Sequence, residues 1–178
     1  DYVHKNGFKQ VVIGLSGGID SALVATVAAD ALGADNVLAV MMPTRFTADL
    51  SFDLAKQLVM NLRIPYVVRP IEELFKGYQA LLADDFARKA WDVTEENLQA
   101  RIRGTVLMAY ANKFGRLVIT TGNKSETAVG YSTLYGDTAG AFALIKDVYK
   151  TDVWALARFV NRHRGREVIP EALINRPP

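Results

Sequence analysis

The residues best suited to chemistry form a glycine-containing loop, SGGIDS, at residues 16–21. Adjacent glycines let backbone amides approach an anion, and a helix that starts at such a loop attracts phosphate. Ser16 and Ser21 add hydroxyl donors. Asp20 is unusual beside phosphate, because a carboxylate is favourable there mainly when Mg²⁺ lies between the two. The loop therefore predicts a polyphosphate site with a metal, with a tight turn in which Asp20 caps a helix as the open alternative.

A second polar segment, TTGNKSE, occupies residues 120–126 and follows another apolar run. If the two loops lie side by side, Glu126 can face Asp20, and the two carboxylates can share a Mg²⁺. Asn97 and Arg101 are four residues apart, so they project from one face of a helix, where they could bind a charged ligand. A solvated helix face is the alternative for that pair.

Alternating elements must position these residues. Four short apolar runs, each followed by a helical pattern, predict a parallel α/β sheet with strands at 10–15, 37–42, 66–68 and 117–120. The predicted helices cover 20–32, 51–62, 71–82, 94–114 and 151–160, with a surface loop at 84–96. Continuous apolar strands indicate helices on both faces, as in a doubly wound, Rossmann-like sheet. Ligands bind such sheets where the strand order reverses, so the loops after the first and fourth strands are the candidates.

Composition excludes several classes of function. The 178 residues are 50% hydrophobic and suit one domain. The sequence has no cysteine, which excludes thiolate nucleophiles, cysteine-ligated metals and disulfides. The 21 Lys and Arg against 19 Asp and Glu argue against a nucleic-acid partner. No apolar run approaches the ~20 residues that span a bilayer. We therefore expect a cytoplasmic protein without membrane contact, with His4 and His163 on its surface.

Several motifs carry a family resemblance. The loop at 16–21 resembles the SGGxDS pyrophosphate loop of the ATP pyrophosphatases, which activate a carboxylate or carbonyl as an adenylate. The segments at 95–104, 121–126, 130–137 and 146–151 resemble NAD synthetase in its glutamine-dependent branch. The resemblance extends from about residue 7 to residue 178. It implies an adenine nucleotide α-hydrolase-like fold.

The resemblance also implies roles for individual residues. It assigns the metal to Asp20 and Glu126, and catalytic roles to Asp20 and Lys150. The implied ATP contacts are Gly14, Leu15, Ser16, Gly17, Gly18, Ile19, Asp20, Ser21, Thr121 and Lys150. The implied deamido-NAD contacts are Asn97, Arg101 and Glu126. Ammonia-dependent relatives place a substrate-binding lysine eight residues after the glutamate, but this chain has Leu134 there, so that contact is not transferred.

The implied reaction is the ATP-dependent amidation of deamido-NAD to NAD⁺ through an adenylate, with ATP and Mg²⁺ bound and ammonia as nitrogen donor. We expect residues 1–178 to be the synthetase domain, shortened at both ends, of a longer enzyme whose glutaminase domain is missing here. A glutaminase of that family uses a cysteine, so this chain should accept free ammonia. A homodimer or higher homo-oligomer is implied as well.

Three alternatives remain open from the sequence. A GMP synthetase-type enzyme shares the glycine loop but should lack the signatures at 95–104 and 131–137. A tRNA-modifying enzyme predicts a basic surface and, in sulfur-transferring members, cysteines. A nucleotide-binding module would bind ATP without turnover.

Overall fold

The strands form at the apolar runs. In the computed structural model, which describes residues 1–176, the strands are β1 Val11–Gly14, β2 Val37–Met41, β3 Tyr66–Val68, β4 Leu117–Thr120 and β5 Phe142–Ala143. The helices are α1 Tyr2–Lys5, α2 Ile19–Leu32, α3 Asp49–Leu62, α4 Glu72–Leu81, α5 Ala83–Phe86, α6 Val93–Phe114, α7 Lys124–Val129, α8 Lys150–Arg164 and α9 Glu171–Asn175. A 3₁₀ turn, Ala34–Asn36, precedes β2. Residues 177–178 of the predicted domain lie outside the described residues.

The strand order positions the site. The order is β3–β2–β1–β4–β5, and every neighbouring pair is parallel. The chain builds outwards from β1 to β3, then crosses back through α4, α5 and α6 to place β4 on the other side of β1. The order therefore reverses between β1 and β4, which is where open α/β sheets bind their ligands.

Apolar side chains cover both faces of the sheet. Val11 and Ile13 of β1 belong to a core cluster with α2, α3 and α8, whereas Val12 faces a second cluster with α4 and α6. Phe75 and Leu107 fill that second cluster, exposed by 0% and 2%. The predicted doubly wound α/β fold with helices on both faces is confirmed.

The predicted surface loop at 84–96 is partly wrong. Its residues are exposed up to position 93, but α5 occupies Ala83–Phe86 and α6 begins at Val93. The early start of α6 has a local cause: the Asp92 carboxylate accepts a backbone hydrogen bond in the first turn (2.8 Å), and the Asp92 N–H donates to the Glu95 carboxylate (2.9 Å). Such a capping box stabilises a helix start at that position.

Five other elements differ from the sequence-based expectation. The short helices α1, α7 and α9 and the two-residue β5 were not predicted, since none is long enough to show a periodic apolar pattern. Helix α8 runs to Arg164, beyond the predicted end at 160, and glycine follows it in a left-handed conformation.

Within residues 1–176, no helix is both long and apolar enough to cross a membrane.

Asn161 of α8 forms hydrogen bonds with the segment that follows the helix, at residues 168–169. It is buried, and its Oδ1 accepts hydrogen bonds from the backbone N–H groups of Val168 and Ile169, both at 2.9 Å. Its Nδ2 donates to the Ile169 carbonyl at 2.7 Å. One side chain therefore forms hydrogen bonds with three buried backbone groups of the segment between α8 and α9, which has no helix or strand to pair them.

Replacing Asn161 by Ala should lower the free energy of unfolding by about 3 kcal/mol, because buried backbone groups lose their partners. Urea denaturation monitored by circular dichroism measures the change. Asn112→Ala, at an exposed position of α6, is the matched control and should change stability by about 0.5 kcal/mol or less. Equal stability of the two variants would contradict the anchoring role.

Candidate active site

A cleft of about 640 Å³ opens at the carboxyl ends of β1, β2 and β4. It lies where the strand order reverses, as the sequence predicts. The predicted site residues in its lining are Gly14, Leu15, Ser16, Asn97, Thr121 and Glu126. The remaining predicted residues are not part of this lining; they are Gly17, Gly18, Ile19, Asp20, Ser21, Arg101 and Lys150.

The glycine loop is held tightly in place. Gly17 has φ +78°, and a Cβ there would lie 2.1 Å from the Ser51 carbonyl oxygen, so no other residue fits. The Ser21 hydroxyl donates to the Gly18 carbonyl at 3.0 Å, and the Gly18 N–H donates to the Ser16 hydroxyl at 3.2 Å. Both serine hydroxyls, which the sequence analysis offered as donors, therefore bond within the loop.

Asp20 does not cap α2. The N-cap is Gly18, and Asp20 lies in the first turn of the helix, so the alternative of a capping aspartate is wrong. The Asp20 Oδ2 forms an ion pair with the Lys150 ammonium, and the Asn123 Nδ2 donates to the Asp20 Oδ1 at 2.8 Å. The carboxylate thus joins three elements: α2, the start of α7 and the start of α8.

Glu126 lies near Asp20 but bonds elsewhere. Its Oε2 accepts from the Asn123 N–H at 2.9 Å, and its own N–H donates to the Asn123 Oδ1 at 3.0 Å, which is a capping box on α7. Burial is the main effect on the pKa of the Glu126 carboxyl and raises it. The hydrogen bond from Asn123 lowers this pKa, the charge of Asp20 raises it, and the charge of Lys150 lowers it. Asn123 therefore links the two carboxylates assigned to the metal.

Lys150 begins α8. Its backbone N–H donates to the Ser125 hydroxyl at 3.1 Å, and its ammonium lies 5.6 Å from the centre of the Trp154 ring. The ammonium therefore sits between a carboxylate and an aromatic face at the edge of the site. Lys146, by contrast, is exposed.

Asn97 and Arg101 contact the loop at 130–137. The Asn97 Oδ1 accepts from the Thr133 hydroxyl at 2.6 Å, and the Arg101 Nε donates to the Leu134 carbonyl at 3.2 Å. Asn97 is half-buried, so for this residue the alternative of a solvated helix face is wrong. Arg101 is exposed and reaches the loop only through its guanidinium.

The same loop packs closely on α6. A Cβ at Gly104 would lie 2.6 Å from the Gly136 carbonyl oxygen, and a Cβ at Gly136 would lie 3.1 Å from the Ala100 Cβ. Two glycines therefore allow the backbone of the loop to rest on the helix. Tyr135, beside them, adopts φ +61°, which favours glycine and marks local strain.

Sequence reasoning missed three residues of the site. Arg103 and Asp137 line the cleft as a charged pair 4.0 Å apart. Burial lowers the pKa of Arg103 and raises the pKa of Asp137, and in each case the charge of the partner acts in the opposite direction. Asn123 is the third, and its capping-box pattern with Glu126 was a signal in the sequence that could have found it.

Comparisons with known proteins identify the family. The sequence profile of NAD synthase matches residues 1–178.

The chain belongs to the NAD synthase family. A glutamine-dependent NAD(+) synthetase from Thermotoga maritima is 57% identical over all 178 residues, which make up 31% of that relative. A second, from Xanthomonas campestris, is 56% identical, again over the whole chain and 32% of the relative. The chain thus spans about a third of the length of the relatives that it matches, and the family resemblance from the motifs is confirmed.

A solved structure of the family overlays on the whole fold. The glutamine-dependent NAD+ synthetase from Acinetobacter baumannii, in complex with ADP, has a TM-score of 0.97 and 49% identity, covering 99% of this chain and 34% of its own. Family membership therefore agrees with the fold of this chain.

Replacing Glu126 by Gln should stabilise the protein at neutral pH. Because burial raises the pKa of Glu126 above its ordinary value of 4.5, the folded state holds the proton more tightly than the unfolded state. Wild-type stability therefore falls as the pH rises from 4.5 through the raised pKa, and Gln, which keeps an oxygen acceptor for the Asn123 N–H, escapes that loss.

Melting temperatures in metal-free buffer between about pH 4 and about pH 8 measure this effect. The difference between the variant and the wild type should be near zero at the acid end, grow through the interval and then stay constant. Glu73→Gln, at an exposed position, controls for the loss of one negative charge. A difference independent of pH would contradict the burial effect on Glu126.

Proposed function

We propose that this chain is the synthetase part of an NAD synthetase, which converts deamido-NAD to NAD⁺ with ATP and ammonia and releases AMP and pyrophosphate. The cleft at the reversal point carries this proposal, because it brings the glycine loop after β1 to the polar loop after β4. Membership of the NAD synthase family supports the same reaction. It also argues against the GMP synthetase-type and tRNA-modifying alternatives.

ATP would bind with its phosphates at the start of α2. There the loop backbone and the helix N-terminus favour an anion, and Ser16 and Thr121 border the cleft. The Lys150 ammonium adds a positive charge on the same side. The relative from Acinetobacter baumannii was solved in complex with ADP, which supports an adenine nucleotide as a ligand of this chain.

Deamido-NAD would bind along α6 and the loop at 130–137. Asn97 and Glu126 line this part of the cleft, and the Arg103–Asp137 pair lies there too. Arg101 uses its Nε for the Leu134 carbonyl, which leaves the rest of its guanidinium for a carboxylate or phosphate. These residues would align the nicotinate carboxylate with the α-phosphate of ATP.

The chemistry then needs no side-chain nucleophile. The carboxylate oxygen attacks the α-phosphorus, the α–β phosphoanhydride bond breaks, and pyrophosphate leaves with the electron pair. Ammonia attacks the acyl carbon, AMP leaves, and the nitrogen loses a proton. The chain has no cysteine, and His4 and His163 are both exposed and outside the cleft lining. Alignment and charge stabilisation by Lys150 and the loop amides would supply the rate enhancement.

The donor set at the site fits Mg²⁺, which takes one or two protein carboxylates together with substrate phosphates. Asp20 and Glu126 offer the carboxylates, both already engaged by Asn123. Within residues 1–176, no group of three or more His, Cys, Asp or Glu could hold a metal by itself. We therefore propose that the nucleotide phosphates complete the metal site. Mg²⁺ bound there would neutralise phosphate charge.

Several wider features belong to the same proposal. The relatives are glutamine-dependent and about three times as long, which supports a glutaminase domain that supplies ammonia in the full-length protein. Free ammonia would serve this chain. We also propose a homodimer or higher homo-oligomer and a cytoplasmic location, with no nucleic-acid partner.

Turnover tests the proposal directly. The chain, incubated with ATP, MgCl₂, ammonium chloride and deamido-NAD, should form NAD⁺ and AMP in equal amounts. Asp20→Ala should lower deamido-NAD-dependent pyrophosphate release by about 100-fold, because it removes the carboxylate that would hold Mg²⁺ and Lys150 near the phosphates. Asp35→Ala is the matched control: Asp35 is exposed and precedes β2, at the opposite end of the sheet from the cleft.

Each other result favours a named alternative. ATP binding without AMP formation would support a nucleotide-binding module. AMP formation that depends on xanthosine monophosphate would support a GMP synthetase-type enzyme, and dependence on tRNA a tRNA-modifying one. Pyrophosphate release by Asp20→Ala at the wild-type rate would show that the role given to Asp20 is wrong.

Gly104→Ala tests the position of the loop at 130–137. Its new Cβ must displace the Gly136 carbonyl, so the KM for deamido-NAD should rise about tenfold while the KM for ATP stays within about twofold. Gly77→Ala in α4 is the matched control, since its Cβ meets no atom within 4 Å. A rise in the KM for ATP alone would contradict the assignment of this loop to deamido-NAD.

A further inference from the structure

Asn123 uses its whole side chain in two different ways. It is fully buried, at 0% exposure, and forms the N-cap of α7. Its Oδ1 accepts from the Glu126 N–H at 3.0 Å, while its Nδ2 donates to the Asp20 Oδ1 at 2.8 Å. The oxygen therefore caps α7, and the amide nitrogen binds the Asp20 carboxylate, which follows β1.

The helix cap alone does not require an amide. Ser, Thr and Asp cap helices as well as Asn does, because a cap needs only an oxygen acceptor. This chain shows as much on α6, where Asp92 forms the same capping box with Glu95. Neither aspartate nor serine at position 123 would offer a donor that reaches Asp20. An ionised aspartate can only accept hydrogen bonds, and the serine side chain is too short.

The two partners of Asp20 also differ in freedom. Lys150 is a long side chain, 26% exposed, whose ammonium can leave the carboxylate for a phosphate. Asn123 is short, buried and fixed at both ends by the cap and by Asp20. When a ligand draws Lys150 away, Asn123 is the partner that remains.

We infer that Asn123 is a positioning residue for the nucleotide site. It holds the Oδ1 of Asp20, so that the Oδ2 stays directed at the Mg²⁺-bound phosphates when Lys150 is drawn away. This rests on the nucleotide binding in the proposed function. It predicts that Asn123 acts on nucleotide affinity only through Asp20.

A double-mutant cycle on Mg²⁺-ADP binding, measured by equilibrium dialysis with labelled ADP, tests this inference. Asn123→Ser keeps an acceptor for the cap but is too short to reach Asp20. It should raise the Kd for Mg²⁺-ADP about tenfold, the size of a lost charge-assisted hydrogen bond. In the Asp20→Ala background, the same change should alter the Kd by less than about twofold, since its target is gone.

Asn123→Asp separates the cap from the contact with Asp20. It keeps the cap acceptor, as Asp92 does on α6, but places a carboxylate against Asp20. Its Kd should rise at least as much as that of Asn123→Ser. Asp92→Asn is the matched control, a cap exchange on α6 that should leave the Kd unchanged. Circular dichroism and melting temperature establish that each variant is folded.

Two results would overturn the inference. One is a wild-type Kd for both folded variants at position 123. The other is a tenfold effect of Asn123→Ser that persists in the Asp20→Ala background, which would make Asn123 a structural cap only. If the wild type binds Mg²⁺-ADP and the cycle is non-additive but no NAD⁺ forms, the inference stands and the proposed reaction fails. If one variant at position 123 does not fold, the other decides.

Discussion

The arrangement of the site depends on the Asp20 carboxylate and its two partners. Lys150 and Asn123 reach Asp20 from segments 130 and 103 residues away in the sequence. A buried or half-buried carboxylate is costly unless charged or polar groups compensate it, so this contact favours a single relative position of the three segments. The parallel sheet makes the contact possible, because β1 and β4 are neighbours and end at the same edge.

The contact also constrains what a ligand must do. Lys150 forms an ion pair with Asp20 in the free protein. In the proposed reaction, an arriving polyphosphate would compete for the ammonium and leave the carboxylate to face a metal. The Glu126 carboxylate accepts the hydrogen bond from the Asn123 N–H, and burial raises its pKa. The Asp20–Lys150 pair therefore balances its own charge without a ligand, and we propose that a bound nucleotide rearranges it. Gly17 and Gly104 allow neighbouring backbone to pack closely around the cleft, since neither position has room for a Cβ.

The sequence predicted the central sheet well and the polar contacts poorly. β3 and β4 have the predicted bounds because their apolar runs are continuous: β3 lies between Pro65 and Pro70, and β4 ends at Thr120. β5 has only two residues, and the helix start at Val93 depended on a capping box rather than on periodicity. The side-chain partners of Asp20 lie far away in the sequence, so only the strand order reveals them. The loop signature at 16–21 predicted a polyphosphate site. The capping-box pattern could have revealed Asn123 as a helix cap, but its contact with Asp20 required the fold. The Arg103–Asp137 pair required the fold as well.

We propose that this cleft aligns a carboxylate with the α-phosphate of ATP. Isotope transfer tests that alignment: deamido-NAD that carries ¹⁸O in both carboxylate oxygens is incubated with ATP, MgCl₂ and ammonium, and the products are analysed by mass spectrometry. We expect one ¹⁸O atom in each AMP and one in the amide of each NAD⁺, because the attacking oxygen stays with the α-phosphorus. AMP without ¹⁸O, or ¹⁸O in pyrophosphate, would contradict it.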